Sequence, residues 1–272
     1  MVKLVFVDMD DTFLSPDKTV SAENRRILDV AHECGVQFVP CTGRNVTGLP
    51  RELAEHPCVR YAVCCNGAIV CDAKTHEVLR EVDIEKDVVR AFYGKVRDLP
   101  ITFDVFADGR VYAAADRWHV LDEMGASPES LVQIKAVRTC VDEPVEKIIE
   151  RVGDIYRVNV FFLSLDDARR VHAAVDAQPQ LTRTSSLPWN VEVTHRDATK
   201  GTGLAWLCDH LGVPRAETVA FGDSDNDLTM LAVAGDGVAM GNANAACRAA
   251  ADHVCGSCDE SGVARYLEPL LL

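Results

Sequence analysis

The sequence has no apolar run long enough to cross a lipid bilayer. Its first residues enter an apolar strand pattern at once, without the basic start and small-residue cleavage site of a signal peptide. We therefore expect a cytoplasmic protein with no membrane partner.

Positive charge is scarce. Lysine and arginine number 28 against 42 aspartate and glutamate residues, which leaves a formal net charge of −14. A negative surface repels the nucleic-acid backbone, so we expect no nucleic-acid partner. A protein of this charge that handles a small anionic substrate needs a local positive charge or a bound metal ion. The hydrophobic fraction of 48% is ample for a buried core.

Several patterns typical of other functions are missing. No pair among the eight histidines has the spacing of metal ligands within a helix, and the chain has no internal repeat. Cys255 and Cys258 form a lone Cys-x-x-Cys pair, and the lack of a second pair disfavours a zinc or redox role. Most other cysteines lie in apolar stretches, and we interpret them as small buried hydrophobes in a reducing compartment. Examples are Cys41, Cys64, Cys65, Cys208 and Cys247.

Strand and helix patterns alternate at the start of the chain. Short continuous apolar runs at residues 2–7, 36–41 and 61–65 predict buried strands, and Ser21 caps a predicted helix. Another helix is predicted over residues 46–55. This alternation is typical of a parallel sheet with right-handed crossovers, so we predict an α/β fold with a Rossmann-like, doubly wound parallel sheet.

The pattern changes in the middle of the chain and returns near its end. Asp108-Gly109 predicts a hairpin between two apolar stretches, and the helices and strands around it indicate an α+β insert with an antiparallel sheet. We therefore predict a core formed by residues 1–82 and 195–272, interrupted by an inserted α+β cap domain at residues 83–194.

Two acidic clusters each follow a predicted strand directly. They are Asp8-Met9-Asp10-Asp11-Thr12 and Gly222-Asp223-Ser224-Asp225-Asn226-Asp227. Either cluster alone is compatible with a solvated, turn-forming loop. In a parallel sheet, however, loops after the carboxyl ends of strands share one edge, where ligands bind. Carboxylates gathered there need a cation, and oxygen ligands suit Mg²⁺ when phosphate is also present.

Two further motifs fit the same edge. A predicted strand ends in Thr42-Gly43-Arg44, where a hydroxyl, exposed backbone N–H groups and a helix start would form an anion site. Lys200-Gly201 opens a predicted helix, so Lys200 can project toward that edge while the helix N-terminus adds positive potential. Each motif alone is common in turns, and the combination indicates a phosphate site.

Together these motifs resemble those of the Cof-type, class IIB capped phosphatases of the haloacid dehalogenase (HAD) superfamily. Asp8-x-Asp10-x-Thr12, Thr42-Gly43-Arg44, Lys200-Gly201 and Gly222-Asp223-x-x-Asn226-Asp227 follow the family's order and spacing, and the resemblance covers essentially the whole chain. Asn66-Gly67-Ala68 and residues 237–243 also resemble family signatures. At Asp11 many members carry glycine. Aspartate tolerates unusual backbone angles, so we expect the loop to form with the Asp11 charge in solvent.

The resemblance implies a magnesium-dependent phosphomonoester hydrolase for a small phosphorylated metabolite, such as a sugar phosphate. Asp8 would be the nucleophile that forms an aspartyl-phosphate, Asp10 the general acid and base, and Lys200 a further catalytic residue. The implied metal ligands are Asp8, Asp10 (through its backbone carbonyl), Asp223 and Asp227, the last of which supports the metal or orients Lys200. The implied phosphate or substrate ligands are Thr42, Gly43, Arg44 and Asn226.

Two alternatives stay open. A phosphotransferase such as a phosphomutase shares the aspartyl-phosphate step, and release of inorganic phosphate without an acceptor distinguishes the hydrolase. A non-catalytic phospho-ligand binding protein on this fold predicts loss of Asp8 or Asp10, and both are present. By resemblance, plausible substrates are sugar phosphates, pyridoxal phosphate and flavin mononucleotide, and a monomer is the default expectation.

Overall fold

Strands and helices alternate in the first part of the chain. The computed structural model describes residues 1–272. The first elements are β1 (Leu4–Asp8), α1 (Ala22–Glu33), β2 (Gln37–Cys41), α2 (Arg51–Ala54), β3 (Tyr61–Cys64), β4 (Ile69–Asp72) and β5 (Val78–Glu81). Helix α1 begins as predicted, because the Oγ of Ser21 accepts a hydrogen bond from the backbone N–H of Asn24. Its apolar side packs into the core.

The helix predicted over residues 46–55 is wrong in its extent. Val46–Gly48 forms only a short 3-10 turn, and α2 begins after Pro50. Between them Leu49 is extended, with φ −71° and ψ 141°. The ring of Pro50 disfavours helical angles in the preceding residue, and Pro50 has no N–H to donate, so one continuous helix cannot form.

The middle of the chain mixes short helices with strands. Its elements are α3 (Lys86–Val96), β6 (Asp104–Ala107), β7 (Arg110–Ala114), α4 (His119–Glu123), α5 (Pro128–Ala136), β8 (Thr139–Val141), α6 (Val145–Arg151), β9 (Ile155–Phe161), α7 (Leu165–Asp176), β10 (Leu181–Thr184) and β11 (Asn190–His195). The hairpin at Asp108-Gly109 is confirmed. Both residues have positive φ, at 52° and 70°, as a tight two-residue turn between antiparallel strands requires.

The alternation returns in the last part of the chain. Its elements are α8 (Lys200–Leu211), β12 (Thr218–Gly222), α9 (Leu228–Val233), β13 (Asp236–Ala239), α10 (Ala245–Ala250), β14 (His253–Val254) and α11 (Gly262–Leu271). None of the eleven α-helices has the length and apolarity needed to cross a membrane. All eleven cysteines are free thiols, and the five interpreted as buried hydrophobes are buried.

The chain divides into unit 1 (Met1–Glu81 and Ala198–Leu272) and unit 2 (Val82–Asp197). Unit 1 holds an eight-stranded sheet in the order β14-β13-β12-β1-β2-β3-β4-β5. Strands from β14 to β3 are parallel, which confirms the predicted α/β class, and β4 and β5 are antiparallel. Because β2 and β12 flank β1 in parallel, the loops after these three strands leave the sheet at the same edge.

Unit 2 holds a six-stranded sheet in the order β10-β11-β9-β6-β7-β8. All of its pairs are antiparallel except β7 with β8. Valines on one face of the sheet, including Val105, Val158 and Val193, pack into a core with apolar residues of α3, α6 and α7. The unit therefore has its own hydrophobic core, built by period-two alternation on the central strands.

Candidate active site

The loop after β1 is a tight turn that includes a left-handed residue. Asp8 ends the buried strand, and its carbonyl accepts a hydrogen bond from the N–H of Phe13 at 3.2 Å. Asp11 has a φ of 61°, in the region that glycine adopts most easily and aspartate tolerates. The expectation that the loop forms with Asp11 is confirmed. Its partly exposed carboxylate lies 3.5 Å from the Nζ of Lys18.

Lys200 is the first residue of α8, and its side chain joins two carboxylates. Its Nζ donates to Oδ1 of Asp8 at 2.5 Å and to Oδ1 of Asp227 at 2.6 Å. The exposed fractions of the side chains of Lys200, Asp8 and Asp227 are 0%, 7% and 0%. Burial alone would lower the pKa of Lys200, but Asp227 and Asp8 outweigh burial and raise the pKa. The buried amine is therefore charged.

Asp223, in the loop after β12, completes a cluster of three carboxylates with Asp8 and Asp227. One oxygen from each residue lies within 4.8 Å of the other two. Burial raises the pKa of Asp8 well above its usual range, against the opposing attraction of Lys200. Burial, together with the charge of Asp227, raises the pKa of Asp223 to about 7. One ammonium therefore faces three carboxyl groups, and ionisation of all three would leave the cluster with an excess of negative charge.

Hydrogen bonds hold two of these carboxylates in place. Oδ2 of Asp227 accepts the backbone N–H groups of Asp223 and Ser224, at 3.0 and 3.1 Å. The hydroxyl of Thr12 donates to Oδ1 of Asp223 at 2.7 Å, which links the loop after β1 to the loop after β12. The two acidic motifs of the sequence are thus joined directly.

The cluster fits a hard divalent cation. All of its candidate ligand atoms are carboxylate oxygens, which Mg²⁺ prefers to nitrogen or sulfur. Burial and the nearby charge of Asp227 raise the pKa values of Asp8 and Asp223, and a divalent cation would favour the ionised form of both. Asp10, for which the sequence suggested a metal contact through the backbone carbonyl, contributes no side-chain oxygen to this group.

Two cations hold the Asp10 carboxylate instead. Arg44 binds it through two nitrogens, with Nε 2.9 Å from Oδ2 and Nη2 2.5 Å from Oδ1. Lys18 adds its Nζ at 3.2 Å from Oδ1. Burial opposes ionisation, but the charges of Arg44 and Lys18 prevail and lower the pKa of Asp10. Arg44, which the sequence suggested as a phosphate ligand, therefore contacts Asp10 here.

The other suggested ligands lie in the loops after β2 and β12. Thr42 is buried, and its Oγ1 accepts the N–H of Arg44 at 3.1 Å across the intervening Gly43. Asn226 donates from Nδ2 to Oδ1 of Asn66 at 3.2 Å. The structure thus brings the loops after β1, β2 and β12 and the start of α8 together at one edge of the unit 1 sheet.

Three residues with contacts to this edge had no role assigned from the sequence. Lys18 contacts Asp10, Asn66 contacts Asn226, and Asn242 donates from Nδ2 to the carbonyl of Asp11 at 2.7 Å. Asn66 and Asn242 lie in stretches that resemble family signatures, which was the only signal that could have found them. Lys18 lies in an irregular loop without any pattern that marks it.

A parallel sheet with a polar site at its carboxyl edge places the protein among the α/β enzymes that bind ligands at this edge. A family model described as haloacid dehalogenase-like hydrolase matches residues 5–267. The chain belongs to this family.

Proteins similar to this chain are named as phosphatases. The chain is 31% identical to the putative phosphatase YxeH of Bacillus subtilis, over 100% of this chain and 99% of the relative. It is 26% identical to the 5-amino-6-(5-phospho-D-ribitylamino)uracil phosphatase YwtE of the same organism, over 99% and 98% of the two chains. A solved haloacid dehalogenase-like hydrolase from B. subtilis is 27% identical with a TM-score of 0.83, over 99% and 100% of the two chains. The predicted HAD-type phosphatase is confirmed.

Proposed function

We propose that the protein hydrolyses the phosphomonoester of a small metabolite in a Mg²⁺-dependent reaction, through an aspartyl-phosphate on Asp8. The observation that carries this proposal is the buried ammonium of Lys200, which contacts Asp8 and Asp227 beside Asp223. Burying so many charges opposes folding, and groups with strongly shifted pKa values concentrate at functional sites. The same residues carry the motifs that resemble those of the family.

In the first step, an oxygen of Asp8 attacks phosphorus in line with the leaving oxygen. The new bond to Asp8 forms while the bond between phosphorus and the leaving oxygen breaks. Lys200 neutralises charge beside the nucleophile and so reduces its repulsion from the phosphate. Asp8, Asp223 and the backbone carbonyl of Asp10, with Asp227 in support, would hold Mg²⁺, which would supply further positive charge to offset the negative charge of the phosphate.

Asp10 serves both steps. It gives a proton to the leaving oxygen in the first step and takes one from the attacking water in the second. That water forms a bond to phosphorus, the bond to Asp8 breaks, and inorganic phosphate is released. Asp10 must carry a proton as the first step begins, and the donation leaves it as the carboxylate that the second step requires, the form that Arg44 and Lys18 stabilise. We therefore assign Arg44 the task of orienting Asp10, in addition to phosphate binding.

The remaining phosphate contacts come from Thr42, the backbone at Gly43, and Asn226, whose loops lie at the same sheet edge. We propose that the inserted residues 83–194 act as a cap that excludes water and selects the leaving group. Several related phosphatases act on small phosphorylated compounds, as their names state. A neutral sugar-like or heterocyclic alcohol is therefore the leaving group that we propose.

A phosphate-release assay tests this function. The panel comprises sugar phosphates, pyridoxal phosphate, flavin mononucleotide and 5-amino-6-(5-phospho-D-ribitylamino)uracil, with Mg²⁺ or with EDTA. We expect release of inorganic phosphate that needs Mg²⁺ but no acceptor, and its loss in Asp8→Asn. Asp209→Asn, at a side chain 75% exposed, is the matched control and should stay active. Phosphate transfer to an acceptor without release would favour a phosphomutase, and activity in Asp8→Asn would contradict the proposed nucleophile.

A further inference from the structure

Three consecutive residues after β3 adopt the left-handed backbone conformation. Cys65, Asn66 and Gly67 have φ values of 51°, 57° and 101°. Cys65 and Asn66 are also buried, with 0% and 3% of their surface exposed. Left-handed angles are unfavourable for residues other than glycine, although asparagine tolerates them better than most, and they persist where surrounding contacts enforce them. The contacts made by these residues, which we call the 65–67 segment, are therefore informative.

The 65–67 segment first contacts the loop after β2. The N–H of Asn66 donates to the carbonyl of Thr42, and the N–H of Cys65 donates to the carbonyl of Arg44, each at 3.0 Å. The thiol of Cys65 donates to Oδ1 of Asn45 at 2.9 Å. The two backbone bonds lie on either side of Gly43. The N–H of Cys65 follows Cys64, which is still extended, with φ −114° and ψ 165°. The N–H of Asn66 follows the left-handed Cys65, so its bond to Thr42 depends on the turn.

The segment also contacts the loop after β12. Oδ1 of Asn66 accepts a hydrogen bond from Nδ2 of Asn226 at 3.2 Å, and Oδ1 of Asn226 accepts the hydroxyl of Ser224 at 2.9 Å. The backbone N–H of Ser224 in turn donates to Asp227. A chain of hydrogen bonds thus connects the Asn66 amide to the carboxylate cluster.

The third contact of the segment is with the start of α8. A Cβ placed on Gly67 would lie 1.9 Å from the carbonyl oxygen of Thr199, the residue directly before Lys200. The backbone of the segment therefore lies against the N-terminus of the helix that carries Lys200.

We propose that Asn66 is a positioning residue for phosphoryl transfer. Its backbone holds the loop of Thr42, and its side chain holds Asn226, so that the two loops keep a fixed separation around the phosphoryl group. Asparagine meets both needs of this position, since it tolerates left-handed angles and offers a side-chain acceptor. The inference rests on the proposed function, in which Thr42 and Asn226 contact the phosphate.

Variants at both ends of the amide contact test this role. Asn66→Gly keeps the left-handed backbone and removes the acceptor, Asn66→Asp keeps both, and Asn226→Ala removes the donor. With the best substrate of the panel and saturating Mg²⁺, Asn66→Gly and Asn226→Ala should each lower kcat/KM roughly tenfold, while Asn66→Asp stays within about threefold. The double variant should lose no more than Asn226→Ala alone, because Asn66→Gly then removes a contact that is already absent.

His76→Gly is the matched control, since His76 is an exposed left-handed residue of unit 1 with a φ of 62°, and it should keep wild-type kinetics. If the fold-losses in kcat/KM of the two single variants multiply in the double variant, the proposal is overturned. An Asn66→Gly protein with lower thermal stability but unchanged kcat and KM also overturns it. A wild-type protein that releases no phosphate contradicts the proposed function and this inference with it. An active wild type with an equally active Asn66→Gly contradicts the positioning role alone.

Discussion

Lys200 and Asp227 form an ion pair at 2.6 Å in which neither side chain is exposed to solvent. Such a pair stabilises a fold less than its short distance suggests, because both charges have lost their hydration. Removal of one partner has a much larger effect, since the remaining charge is buried without compensation. The stability of unit 1 should therefore respond strongly to changes at Lys200.

Lys200→Met leaves the three clustered carboxylates without their ammonium partner. We expect the free energy of unfolding to fall by about 3–5 kcal/mol, together with loss of phosphatase activity. Urea unfolding in EDTA measures the effect. Lys147→Met is the control, because the pair of Lys147 with Glu150 is 65% and 62% exposed, and the urea midpoint should not move. Equal midpoints for Lys200→Met and wild type would show that the cluster does not need this cation.

The pKa of Asp223, raised to about 7 from its ordinary value of 3.8, predicts a pH dependence of metal-free stability. Between these values the folded state binds more protons than the unfolded state. The contribution of Asp223 is therefore fully present below the ordinary value and is lost as the pH rises through about 7. Because Mg²⁺ competes with this proton, it should raise the Tm more at high pH than at low pH.

Thermal unfolding with EDTA and with Mg²⁺ on both sides of neutrality tests this dependence. In Asp223→Asn residue 223 cannot ionise, so the Mg²⁺-induced rise in Tm should be smaller than in wild type and should depend less on pH, and Asp8 accounts for the dependence that remains. A Tm shift in wild type that is equal on both sides of neutrality would argue against Asp223 as a ligand that must lose a proton.

Arg44→Gln removes the bidentate contact that lowers the pKa of Asp10. The pKa of Asp10 should rise, and the limb of the pH–rate profile that reports Asp10 should move to higher pH. We also expect kcat to fall roughly ten- to a hundredfold, because Asp10 loses its fixed orientation. Lys18→Gln removes a single contact and should shift the limb in the same direction by less. A limb that stays in place, or moves to lower pH, would disprove the assignment of Arg44 as the residue that lowers the pKa of Asp10.

The sequence predicted the core because its signals are local. The apolar runs of β1, β2 and β3 and the Ser21 cap of α1 can be read within a few residues. The approach of Asp8, Lys200 and Asp223 could be anticipated because parallel strands bring distant loops to one edge. The short helices α4 and α5 were missed, since neither carries a long periodic apolar pattern.

Details of the site were less accessible to sequence reasoning. The side chains of Arg44 and Lys18 are long and flexible, so their contact with Asp10 depends on packing that no local pattern encodes. The left-handed angle at Cys65 is equally hidden, because cysteine gives no signal for it. The helix that we predicted through Pro50 is an error that the sequence could have prevented, since proline interrupts helices and is visible in the sequence.

Gly67→Ala should harm the protein more than an ordinary glycine replacement at positive φ. Gly35 has a φ of 71° with open space where a Cβ would lie, so Gly35→Ala measures the backbone cost alone, roughly 1–2 kcal/mol. Gly67→Ala adds a collision with the Thr199 carbonyl that only movement of the start of α8 can relieve. We expect about 2 kcal/mol of further destabilisation in urea unfolding. We also expect a larger loss of kcat than in Asn66→Gly, because Lys200 follows Thr199. Equal destabilisation by the two replacements would mean that the start of α8 can move at little energetic cost, and that its position does not depend on Gly67.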